Sequence, residues 1–114
     1  MFRGFYILLV VFVALPAVAK EFVVSQKNTM FLFQDKPVQQ IQVEVGDRIK
    51  FVNQDPFYHN IFSSSETMRF DLGVFHQGEA RSMTFERQGE VKVECSIHPD
   101  MLLKINVKQG TNHE

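Results

Sequence analysis

The chain has 114 residues and a formal net charge of −1, with twelve Lys and Arg interspersed among thirteen Asp and Glu. That balance gives no sign of a basic surface for nucleic acid or an anionic membrane, and the length bounds the chain to one domain with a single core. There is no Trp, Phe occurs twelve times, and the one cysteine, Cys95, excludes an internal disulfide.

From the N-terminus, Arg3 precedes an apolar run from Phe5 to Val18 that closes on the small-residue pattern Ala17-Val18-Ala19. The run is shorter than the roughly 17 to 25 residues that span a bilayer, and Pro16 interrupts it. Residues 1–19 are therefore expected to be a cleaved secretory signal rather than a retained anchor, and residues 20–114 the folded domain of a periplasmic or otherwise exported protein. No cysteine follows the run, so a lipid anchor is not indicated.

Beyond Lys20 the pattern is β throughout. Residues 40–45, 82–86 and 103–107 alternate apolar and polar with a period of two, as half-buried strands do. Gly46-Asp47 precedes a strand over 48–52, and Gln88-Gly89 precedes one over 90–94. The polar run Ser63-Ser64-Ser65-Glu66 reads as a longer loop. No helical stripe, repeat or linker is visible, so the expectation is seven or eight short strands in a two-sheet, antiparallel Greek-key β-sandwich.

The chemistry concentrates in Cys95-Ser96-Ile97-His98-Pro99-Asp100-Met101, between the strands ending at Glu94 and starting at Leu102. A lone thiol in an oxidising compartment needs burial, a partner chain or a ligand. Here a thiolate, an imidazole and a thioether fall within seven residues. Two His, one Cys and a weak axial Met form the blue-copper set, so this loop lacks one further His. Three remain. His59 follows the strand ending at Val52, His76 sits in a loop before Gly78, and His113 lies in a polar tail; the position of His59 suits the site best. A structural zinc site commonly uses several thiolates, which one cysteine cannot supply, and no oxyanion site accompanies a Cys–His nucleophile pair. Catalysis is not expected. Met101 has an ordinary alternative as core filler, and Pro99 stiffens the loop by fixing φ.

Residues Val45-Gly46-Asp47-Arg48-Ile49-Lys50-Phe51-Val52-Asn53, then His59-Asn60, then Cys95-x-x-His98-Pro99-x-Met101, resemble the cupredoxins, and the short ligand loop is most similar to that of amicyanin. Phe70-Asp71-Leu72-Gly73 with Gly78 also resembles plastocyanin-like proteins associated with methylamine utilisation. The resemblance implies His59, Cys95, His98 and Met101 as ligands of one type 1 copper ion, with Asn60 bracing the ligand loops. It implies a carrier of single electrons, expected to be monomeric. Phe57, Pro99 and Leu102 are candidates for an apolar surface around the edge of His98, where unidentified redox partners are expected to dock. Glu94 and Asp100 match no ligand position and are expected to face solvent. A rival reading, a Cu(I) carrier, draws on the further thioethers of Met30, Met68 and Met83; a third keeps the fold and ligands in a structural or sensing module.

Overall fold

A computed structural model describes residues 4–11 and 18–110. Residues 1–3 and 12–17 of the expected signal segment lie outside the described residues, as does His113. Among the described residues, no helix is long and apolar enough to cross a membrane.

The described residues form ten strands: β1 (Glu21–Lys27), β2 (Met30–Phe33), β3 (Lys36–Pro37), β4 (Gln40–Glu44), β5 (Arg48–Asn53), β6 (His59–Ser65), β7 (Met68–Phe75), β8 (Ala80–Thr84), β9 (Gly89–Glu94) and β10 (Leu102–Lys108). They make two five-stranded sheets, ordered β3-β2-β1-β5-β8 and β4-β10-β9-β6-β7. Both sheets are mixed where antiparallel pairing was expected, because β1 pairs β5 in parallel and β4 pairs β10 in parallel. The chain leaves the first sheet after β3, crosses to the second as β4, and returns as β5 beside β1. Such a return brings β5 back running the same way as β1.

Alternation along the strands decides what is inside. Ile49, Phe51 and Asn53 of β5 are buried while Arg48 and Lys50 face out, and Val91 and Val93 of β9 and Leu103, Ile105 and Val107 of β10 are buried in the same alternating way. Phe51, Phe75 and Phe85 are fully buried. Each such side chain contributes about 1.5–3 kcal/mol relative to exposure.

Two local expectations change. The serine run is the end of β6, not a loop: Ser63 Oγ donates to the Met68 carbonyl at 2.8 Å, and Ser65 Oγ accepts the Lys92 N–H at 2.8 Å. The strand expected over 82–86 runs instead from Ala80 to Thr84. Phe85 leaves the ladder because its N–H donates to the Asp47 carbonyl and its carbonyl accepts the Gly46 N–H, both at 2.8 Å.

Candidate metal centre

The inward phase of three strands runs on into the candidate site. Val91 and Val93 continue to Cys95, Leu103 is preceded two residues back by Met101, and Ile61 by His59, so each of these side chains inherits the buried face of its strand. Cys95 is 1% exposed, Met101 2% and His59 0%. His98 comes from the loop between β9 and β10 and is only half-buried. The Met101 N–H donates to the His98 carbonyl at 2.9 Å, which folds that loop back on itself.

His59 Nδ1 lies 3.7 Å from Cys95 Sγ, and His98 Nδ1 lies 3.8 Å from the same sulfur. The donor atoms of His59, Cys95 and His98 all fall within 4.8 Å of one another. Metal bonds to imidazole nitrogen and thiolate run about 2.0–2.3 Å, so donors at these separations can share one ion. The imidazole rings are 4.7 Å apart between centroids, and Phe57 packs against both, at 5.3 Å from His59 and 5.1 Å from His98.

Hydrogen bonds lock the loops that carry these residues. Asn60 Nδ2 donates to Ser96 Oγ at 2.9 Å and Asn60 Oδ1 accepts the Ser96 N–H at 2.7 Å, while the Asn60 N–H points at Cys95 Sγ at 3.5 Å. Asn60 thus joins the two ligand loops and places a donor on the sulfur. Asn53, fully buried, donates from Nδ2 to the Phe57 carbonyl at 2.8 Å and the Phe75 carbonyl at 3.0 Å, and its Oδ1 accepts the Asp55 N–H at 2.8 Å. It shapes the segment between β5 and His59.

Asp55 was not anticipated from the sequence. Its Oδ2 is 2.7 Å from His59 Nε2, and both side chains are buried. Burial pushes the Asp55 carboxyl up, but the hydrogen bond from His59, the backbone bonds from Thr29 and Asn28 and the charge attraction of His59 outweigh it, so its pKa lies below the ordinary carboxylate value. The available signal was a carboxylate four residues before a candidate histidine. Gln26 was also missed: it is fully buried with Nε2 3.5 Å from the Asn60 carbonyl.

The other sequence candidates stand apart. His76 is exposed, stacks edge-on to Tyr58 at 4.6 Å and lies 3.6 Å from Glu79, outside the donor cluster. Asp100 is exposed and Glu94 half-buried at the end of β9.

Residues 20–108 match the family described as copper binding proteins, plastocyanin/azurin family. The chain belongs to that family. As a cupredoxin it is 32% identical over 95 residues to the methylamine utilization protein MauL of Methylorubrum extorquens, covering 82% of this chain and 79% of that one. The fold is similar to the Cu(I) form of an amicyanin mutant, with a TM-score of 0.69 at 22% identity over 85% of this chain and 90% of that one. It is likewise similar to a copper-containing nitrite reductase from Thermus scotoductus, with a TM-score of 0.67 at 25% identity, over 77% of this chain but 22% of that one. Two imidazoles and a thiolate that converge, with a buried thioether at the end of the same loop, fit a single copper ion of type 1.

Proposed function

We propose that this cupredoxin carries single electrons between redox partners outside the cytoplasm, with one copper ion held by His59, Cys95, His98 and Met101. The observation that carries the reading is the convergence of two Nδ1 atoms on one buried sulfur at 3.7 and 3.8 Å. A bound copper ion supplies one-electron chemistry between Cu(II) and Cu(I).

The chain supplies constraint and access. His59 and Cys95 are held from several elements, so little of the site can relax when its charge changes, and a small rearrangement favours fast transfer. Three of the four donor residues are buried and His98 alone reaches the surface. Phe57, 41% exposed, packs against its ring at 5.1 Å; Ile97, its neighbour in the chain, is 47% exposed, and Leu102, just past the end of the same loop, is 39% exposed. Such a patch suits the small, weak interfaces of transient electron-transfer pairs. Residues 1–19 act as the export signal in this reading, and an exported protein starting at Lys20 would be its signature in a mass spectrum.

The rival, a Cu(I) carrier, finds less support. Met68 and Met83 pack against the core while Met30 stands exposed on β2, so the extra thioethers are divided between core packing and surface.

Titration with Cu(II), followed by visible absorption and electron paramagnetic resonance, tests the proposal beside Cys95→Ser. The expected result is an intense thiolate-to-copper band that bleaches reversibly on reduction and is missing from the variant. Tight Cu(I) binding without that band would transfer the support to the carrier.

A further inference from the structure

Asp55 is 3% exposed and makes four hydrogen bonds, each with a different consequence. Its Oδ1 accepts the Asn28 N–H at 2.7 Å, and its Oδ2 accepts the Thr29 N–H at 3.1 Å and the His59 Nε2–H at 2.7 Å. Its own N–H donates to Asn53 Oδ1. Asn28 and Thr29 form the two-residue turn between β1 and β2, with φ of 54° and 56°. Threonine is β-branched and rarely adopts that conformation, so the turn needs something to hold it. A carboxylate that accepts both N–H groups does so.

Stabilising the turn does not require the third acceptor contact. With Nε2 donating to Asp55, the nitrogen left free on His59 is Nδ1, which is the one that faces Cys95 Sγ. A carboxylate on the far side of an imidazole ligand fixes its tautomer and raises its basicity. Among the described residues the ion pair of Asp55 is with His59 and no Lys or Arg approaches it within salt-bridge distance, so its negative charge is felt by the site in a setting where water screens little.

We infer that Asp55 is a positioning residue for the copper centre: anchored in the turn at Asn28 and Thr29, it holds His59 with Nδ1 toward Cys95 and biases the site toward the more oxidised ion. The inference rests on the copper reading above and deepens it. It also makes the β1–β2 hairpin, which contributes no ligand, part of what holds the site.

The test compares wild type, Asp55→Asn and Asp55→Glu, each loaded with copper, by midpoint potential and electron paramagnetic resonance, with thermal unfolding of the metal-free forms alongside. Asp55→Asn keeps the shape, removes the charge and turns a donor toward donors. Its potential is expected to rise by at least the equivalent of a tenfold bias toward Cu(I), about 59 mV for a one-electron couple. Asp55→Glu should fall between the two. Variants that melt earlier but keep the wild-type potential and spectrum would leave Asp55 a turn residue and overturn the inference. A wild type without the charge-transfer band is a different result, since it removes the copper reading itself. Nitrogen-15 magnetic resonance of the unmodified metal-free protein gives a check that needs no variant: the His59 Nε2–H is expected to exchange slowly with solvent, and rapid exchange would overturn the link to Asp55.

Discussion

Asn60 shows how much one side chain can decide. Both ends of its amide bind Ser96 while its backbone N–H addresses Cys95, so the β6 start and the loop after β9 meet through a single residue. Asn60→Ala leaves the Ser96 N–H and hydroxyl without these partners. Loss of two such bonds, softened because Ser96 is exposed and can turn to water, is expected to cost about 1–3 kcal/mol in urea unfolding of the metal-free protein. Copper should also leave the variant faster on challenge with a chelator, since the loop carrying Cys95 and His98 loses its clamp. Unchanged stability and unchanged release would show that the clamp is idle. Asn60 was legible in the sequence through its place beside His59 in a family pattern. Asp55 was not, because a tie between a carboxylate and an imidazole depends on how the three residues between them turn, and that turn is set by Asn53 from inside the core.

At the scale of elements, strands with clean alternation were readable and those bounded by unusual turns were not. Residues 40–45, 48–52, 90–94 and 103–107 came out within a residue or two because each shows inward Val, Ile, Leu or Phe against outward polar or charged side chains. The β1–β2 and β2–β3 turns carry Asn28-Thr29 and Gln34-Asp35, all four residues at positive φ with no glycine among them, so the usual hairpin signal is absent. Two glycines at strand ends make a contrast that can be measured. A Cβ on Gly46, at φ +96°, would meet nothing within 4 Å, so Gly46→Ala carries backbone strain alone, about 1 kcal/mol. A Cβ on Gly89, at φ +139°, would lie 3.0 Å from both Cγ2 and Oγ1 of Thr67. Gly89→Ala should therefore lose about 1–3 kcal/mol more in urea unfolding, and adding Thr67→Ala should restore part of it. Equal losses at the two glycines, or no relief from the second change, would place the cost in the backbone alone.

For the whole molecule, the two sheets do one thing together: they bring the turns after β1, β5, β7 and β9 to the same end. Asp55 binds the first of these turns, Asn53 the third through its backbone bonds to Gly78 and Glu79, and Asn60 the fourth. The ligand spacing in the sequence could suggest which residues meet, and the strand phases explain why three of them face inward. It could not reveal that His98 alone of the four donor residues is half-exposed, with the exposed Phe57 packed against its ring, since exposure depends on how far each loop rises above the sandwich. That asymmetry predicts how electrons enter and leave. Two copies of the protein, one reduced and one oxidised, should exchange electrons by meeting His98 face to His98 face, so Leu102→Lys on both sets like charges against each other. Exchange, followed by magnetic resonance line broadening in mixtures of the two forms, is expected to slow about tenfold at low salt and to recover as salt screens the repulsion. The copper spectrum should not change. Val23→Lys makes the same charge change at a residue 49% exposed on β1, a strand that contributes no ligand, and should leave the rate alone. If both variants slowed equally, net charge rather than this face would control the encounter; if neither did, the electron would leave by another face.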